Sequence, residues 1–253
     1  MTTIPVDAEA GDAGASQAVK AQLRLREMIL AGELPGGSRI AELAIVDKLG
    51  MSRTPIRAAL MRLEQEGLLQ ALASGGYAVR IFSEQDVADA IELRGTVEGL
   101  AARLAAERGV PEAVLDEAGA CLDAVDAVLR QSALDDEAFT RYVSLNQMFH
   151  TLLAGMAGGT VIARELERVV NLPFASPSAF VVLQANSPQA RDMLVVAQHQ
   201  HRQVLDAIAR REGTRAEAIM REHSRIAQRN LRDAVQGANL ERMPAVRLIR
   251  QVG

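Results

Sequence analysis

The sequence predicts a mostly α-helical chain in two parts. A small module of helices closed by a β-hairpin comes first, and an antiparallel all-α bundle of about six helices follows. Three observations predict this. Helix-favouring Ala, Leu, Arg and Glu are abundant, while aromatics are only 3% of the 253 residues and Trp is absent, a bias toward helix over sheet. Apolar residues recur near every 3.6 positions through most of the chain. Glycine and proline interrupt that pattern at intervals of about one helix.

The bulk numbers bound the rest. A hydrophobic content of 49% is enough for a core. No apolar run approaches the ~18 residues of a membrane span and no signal-peptide pattern opens the chain, so no membrane partner is expected. The one cysteine, Cys121, excludes an internal disulfide, which fits a reducing cytosol and a cytoplasmic location. Residues 1–16 are small, acidic and aperiodic and read as a disordered tail. The net charge of -4 is unevenly spread: residues 17–82 carry nine Lys/Arg against six Asp/Glu, and residues 83–253 carry nineteen against twenty-three. The positive part is the one with a nucleic-acid pattern, described next.

Within residues 17–82, the stretch 17–31 has helical apolar spacing and stops at Gly32. ELPGGS is a loop, 41–49 a short helix ended by Gly50, and a third helix runs from Arg53 to about Glu66. Ser52 is placed as its N-cap, and Pro55 lies in its first turn, where a missing N–H does no harm. Helix, glycine-bearing turn and helix make a helix-turn-helix. The third helix opens with Arg53, Thr54 and Arg57, suited to base edges and phosphates in a major groove. Leu60 and Leu63 face the core. The runs LLQALA and YAVRIF, joined by Ser74–Gly75–Gly76, form a hairpin with a glycine tip, a wing.

The run LREMILAGELPGGSRIAELAIVDKLGMSRTPIRAALMRLEQEGLL resembles the winged-helix domain of the GntR family over some 45 residues. Its recognition-helix pattern S-R-T-P-x-R is met here by Ser52-Arg53-Thr54-Pro55-Ile56-Arg57. The resemblance implies DNA contacts by Ser52, Arg53, Thr54 and Arg57, by the wing tip at Gly75 and Gly76, and by Arg39 on a phosphate. Leu43 stands where some members carry a basic residue.

From Ser83 onward helices are expected near 84–108, 111–131, 135–157, 160–172, 188–212 and 214–236, with 237–253 a C-terminal tail; runs of this length without strands argue for a bundle. Three of the chain's four histidines fall on inward stripes. They are His150 with Tyr142, Phe149 and Leu153, His201 with Leu194 and Val204, and His223 with Ile219 and Ile226. Asn146 lies one turn before His150, on the same face. His199 falls near the opposite face of its helix. Three imidazoles and an amide oxygen suit a divalent transition metal, zinc or nickel before manganese or iron. The alternative is three histidines buried separately, each bonded to backbone.

Arg94 lies on the inward stripe of the first bundle helix with Val87, Ile91, Val97, Ala101 and Leu104. A buried guanidinium needs an anion, either an internal Glu or Asp or a carboxylate ligand whose other end meets the metal.

Residues 84–236 resemble the all-helical FCD domain of the FadR subgroup, whose D-x-x-F-H motif and two later histidines are met by Asn146-Gln147-Met148-Phe149-His150, His201 and His223. Asn stands where Asp is usual, which removes a charge from the ligand set. About six helices point to the VanR-like branch. The resemblance implies a small organic acid in the helical domain, with Arg94 and Asn230 as effector contacts. It further implies a homodimer on a palindromic double-stranded operator and repression relieved by ligand. The rival classes are a metal-dependent enzyme acting on a small carboxylate, and a regulator with a purely structural metal. Against catalysis, HExxH is absent and the sequence offers no second buried carboxylate as a general base.

Overall fold

The computed structural model describes residues 8–131, 134–179, 190–236 and 244–250. They divide into two compact units, one formed by 1–83 with 240–253 and the other by 84–239.

The first unit begins with α1 (Ala8–Leu30). It starts earlier than the sequence reading, which left 1–16 as a disordered tail. Ala8, Ala10, Ala13 and Ala15 favour helical backbone there, and residues 1–7 of that expected tail lie outside the described residues. Ala21, Leu25, Met28 and Ile29 bury one face of α1. Next come α2 (Glu42–Leu49), ended by Gly50 at φ 63°, and α3 (Arg53–Gln65). Ile56, Ala59, Leu60 and Leu63 put the inner face of α3 against α1, and Ile45 anchors α2. Strands β1 (Leu69–Ala71) and β2 (Tyr77–Val79) pair antiparallel, Leu69 opposite Val79 and Ala71 opposite Tyr77. The wing tip turns through Gly75 and Gly76 at φ 85° and 80°, values that glycine adopts without strain.

The C-terminal segment departs from the expectation of a tail over 237–253. Pro244–Leu248 forms a 3-10 turn and Ile249–Arg250 forms β4, which pairs in parallel with β3 (Phe82–Ser83). Ala245, Val246, Leu248 and Ile249 are buried in the first unit. Burial of these apolar side chains holds the segment down; Ala-Val-Arg-Leu-Ile is too short to show a period in the sequence. Residues 237–243 and 251–253 of that expected tail lie outside the described residues.

The second unit is all helix among the described residues: α4 (Glu84–Arg108), α5 (Glu112–Leu129), α6 (Asp136–Met156), α7 (Thr160–Val170), α8 (Ala190–Ala209) and α9 (Gly213–Gln236). Asp135 caps α6 by accepting from the Ala138 N–H at 2.8 Å. The sharpest packing feature is the approach of α9 to α4. A Cβ at Gly95 would stand 2.5 Å from Ser224 Cβ, and one at Gly99 would stand 2.9 Å from Arg221 Cγ. Two glycines on one face of α4 thus let the helices close, which brings Arg94 and Glu98 to the level of His223. Apolar clusters lie on either side of that level. Leu153, Val204 and Met220 belong to one, and Val125, Tyr142 and Leu194 to the other.

Candidate functional site

Each of α6, α8 and α9 delivers one imidazole to a shared point. His150, His201 and His223 are buried, and one nitrogen from each lies within 4.8 Å of the others. His199 is exposed and takes no part. Phe149 closes one side, its ring centroid 4.6 Å from that of His201.

The outer nitrogens decide what the inner ones can do. His150 Nδ1 lies 2.7 Å from Glu98 Oε1, an acceptor only, so Nδ1 carries the proton and donates. The Gln198 amide N–H groups donate to the Leu122 carbonyl at 2.9 Å and to Asp126 Oδ1 at 2.8 Å. That turns the Gln198 oxygen toward His201 Nδ1 at 3.4 Å. His223 Nδ1 meets Gln200 Oε1 at 3.2 Å. Each Nδ1 thus faces a side-chain oxygen, and the Nε2 atoms turn toward one another.

Two of those nitrogens meet each other, and the third has no hydrogen-bond partner. His201 Nε2 and His223 Nε2 are 3.1 Å apart, and His150 Nε2 is buried without a hydrogen bond. The 3.1 Å pair is held either by a proton on one of its nitrogens or by a cation between them. Burial first, and then charge on neighbouring groups, holds the His201 and His223 imidazoles well below their ordinary pKa of 6.5, so they stay neutral. Neutral imidazole is the form that binds metal. Adjacent ligand nitrogens on a metal at about 2.0–2.1 Å are roughly 3.0–3.4 Å apart, which the 3.1 Å contact matches. The residues present fit a divalent transition metal. Asn146, one turn before His150, is buried and donates from Nδ2 to Ser178 Oγ at 3.2 Å, leaving its carbonyl oxygen as the atom of ligand type.

Arg94 and Glu98 flank this cluster on α4, both buried. Arg94 Nε is 3.4 Å from Glu98 Oε2, an ion pair without a hydrogen bond, so Arg94 Nε, Arg94 Nη1 and Glu98 Oε2 are all buried without one. Of the two partners open to Arg94 from sequence, an internal carboxylate is thus present, and one face of the guanidinium is still unmatched. Burial pulls the Arg94 pKa down against the pull of Glu98. Burial alone would raise the Glu98 carboxyl, but His150 and Arg94 outweigh it and keep Glu98 ionised. Glu98 was missed in the sequence, which offered no second buried carboxylate. An apolar stripe through Val97 and Leu104 passes Glu98 by, although those two are half-buried and Glu98 is fully so. The available signal was its i,i+4 spacing from Arg94.

A pocket opens beside His223, lined among the described residues by Arg94, Tyr142, Asn146, Leu194 and Asn230 with others. It offers about 20 Å³ of space, room for about one water. Asn230 and Arg94, the two expected effector contacts, both reach it.

In the first unit, Ser52, Arg53, Thr54 and Arg57 are all exposed at the start of α3. Ser52 occupies the N-cap position with its hydroxyl making no cap hydrogen bond, so the hydroxyl is unspent. Arg57 Nε is 3.8 Å from Glu42, a loose and exposed pair. Arg39 donates from Nη2 to the Gly75 carbonyl at 2.8 Å. It braces the wing tip, a role the sequence did not suggest. Its remaining donors are compatible with a phosphate.

Comparison with known proteins agrees with this architecture. Residues 17–79 match the family described as "Bacterial regulatory proteins, gntR family", and residues 89–225 match the FCD domain. An uncharacterised HTH-type transcriptional regulator from Streptomyces ambofaciens is 32% identical over 214 residues, 80% of each chain. The HTH-type transcriptional repressor GlaR of Escherichia coli is 26% identical, over 79% of this chain and 88% of that one. Among solved structures, Escherichia coli McbR/YncC has a TM-score of 0.60 at 17% identity, covering 83% of this chain and 93% of its own, a likeness of fold.

Proposed function

Since the chain belongs to the GntR family, carries an FCD domain and is a DNA-binding transcriptional regulator rather than an enzyme, we propose that its helical unit senses a small carboxylate held between a divalent metal and Arg94. The observation that carries this reading is the convergence of three buried imidazole nitrogens within 4.8 Å of one another, with His150 Nε2 unpartnered. His150, His201 and His223 would hold the ion, with the Asn146 oxygen as a fourth ligand. Zinc or nickel suits nitrogen-rich ligands, with manganese or iron behind them. When bound, the ion supplies a positive charge with open positions for an acid. Arg94, with its unmatched Nη1, and Asn230 would take the other end. Because the pocket as it stands admits only about one water, an acid must widen it. That movement is the signal a sensor can transmit.

At the other end of the chain, Arg53, Thr54 and Arg57 would read base edges, while Ser52, Arg39 and the Gly75–Gly76 tip would contact the backbone. A homodimer would set two such helices on a palindromic operator, and repression would be relieved by the ligand. The name of GlaR supports the repressor sense.

Zinc titrated calorimetrically into the metal-stripped full chain tests the metal, and benzoate added to the zinc-loaded protein probes the acid site. We expect tight zinc binding that His201→Ala abolishes, and benzoate binding that Arg94→Ala abolishes. Wild-type protein that ignores zinc refutes the reading.

One observation favours a second reading. Arg94 already has an internal counter-ion in Glu98, which suits a metal that only braces the bundle. In that case chelation lowers the melting temperature and leaves acid binding and operator affinity unchanged.

A further inference from the structure

We infer that Glu98 is the positioning residue that sets both halves of the proposed site, selecting the metal-competent tautomer of His150 with one oxygen and aiming Arg94 with the other. The inference rests on the metal reading above for its purpose, but not for its geometry. Glu98 Oε1 takes the His150 Nδ1 proton at 2.7 Å, and Oε2 faces Arg94 Nε at 3.4 Å. The carboxylate is wholly buried, so no water competes for either oxygen. With the donor-only guanidinium of Arg94 against Oε2, it serves as an acceptor at both oxygens. Consequently the neutral His150 ring, the form a metal binds, must carry its proton at Nδ1, which leaves Nε2 bare toward His201 and His223. Gln198 and Gln200 set the other two rings with neutral amides. Only His150 is set by a charge, and only that charge also touches the anion-seeking arginine.

The two contacts make a distinctive prediction for Glu98→Gln, a change that keeps the shape. Arg94 has donors only, so the new amide must turn its oxygen to Arg94. Its NH2 then faces His150 Nδ1, which must become an acceptor. The His150 proton moves to Nε2, the atom a metal needs. A carboxylate behind a ligand imidazole fixes its tautomer and orientation, and losing it costs roughly 10–100-fold in metal affinity. If the site were only a packing element, an isosteric change would move neither quantity.

The test is nitrogen-15 NMR of the histidine rings in the metal-free full chain, together with zinc titration of wild type and Glu98→Gln. We expect His150 in the Nδ1–H form in wild type and in the Nε2–H form in Glu98→Gln, with zinc affinity lower by about 10–100-fold. Glu98→Asp, which keeps the charge, should keep the Nδ1–H form. An Nε2–H His150 in the wild-type protein overturns the inference without any variant, which covers a variant that fails to fold. An unchanged tautomer in Glu98→Gln, or an unchanged zinc affinity where the wild type binds zinc, overturns it as well. If the tautomer flips while the wild type ignores zinc, the metal reading falls and the control of His150 by Glu98 stands.

Discussion

Placing a methyl group at Gly95 tests the close crossing that assembles the site. The new Cβ would stand 2.1 Å from Ser224 Oγ and 2.5 Å from Ser224 Cβ. The hydroxyl can rotate away, but Ser224 Cβ is fixed to the α9 backbone. Ordinary carbon contacts lie near 3.5–4.0 Å, so α4 and α9 must part by about 1 Å. Overpacking of this kind costs about 1–3 kcal/mol, and a clash against main-chain-anchored carbon belongs at the upper end. Replacing Gly by Ala in a helix returns about 1 kcal/mol. The net loss is therefore about 2 kcal/mol, or a fall of about 4–8 °C in the melting temperature of a unit of this size. Zinc binding should weaken too, because His223 on α9 moves away from Glu98 and His150. Adding Ser224→Gly removes both offending atoms at a helix-propensity cost of about 0.5 kcal/mol, so the double variant should regain most of the stability. Thermal unfolding of the metal-free chain reads out all three proteins. A Gly95→Ala chain that melts at or above wild type, or a double variant no better than the single, refutes the reasoning.

Three further outcomes are expected. Arg53→Ala and Arg57→Ala should each cost about 1–3 kcal/mol of specific operator binding. In gel shifts on a sequence selected from random DNA, wild-type affinity in the double variant would remove them from the recognition surface. The pH dependence follows from the depressed imidazoles. The unfolded chain protonates His201 and His223 near 6.5 while the folded chain resists, so their contribution is full above about pH 6.5 and is lost as the pH falls below it. Melting temperatures of the metal-free protein from pH 8 to pH 5 should turn down near there, and His201→Gln should soften the fall; a flat wild-type profile contradicts it. Finally, Arg39→Ala should loosen the wing by removing its tie to the Gly75 carbonyl, seen as faster amide exchange at Gly75 and Gly76 with α3 unaffected.

The parts legible in the sequence were those written as periodicity. The helices of the second unit were readable because each carries an apolar stripe and a glycine or proline stop, and the same stripes put His150, His201 and His223 on inward faces. What the sequence hid was relational. Glu98 reads as an ordinary helix-surface glutamate unless Gly95 and Gly99 are taken as signs that another helix lies against that face. Gln198 and Gln200 look like solvent-facing residues of a polar run, QHQH, and their orienting roles depend on Asp126 and on neighbouring helices. The docked segment 244–250 owes its place to partners far away in sequence, such as Phe82 and Ser83, and so left no local mark.

The pairing of Ile249–Arg250 with Phe82–Ser83 makes the helical unit topologically an insertion, with chain from before and after it stitched side by side on the same host. Excising residues 1–83 as a stand-alone head would strip away the greasy cover that Ala245, Val246, Leu248 and Ile249 provide. Such a fragment is a poor proxy for the intact regulator, however faithful its recognition helix.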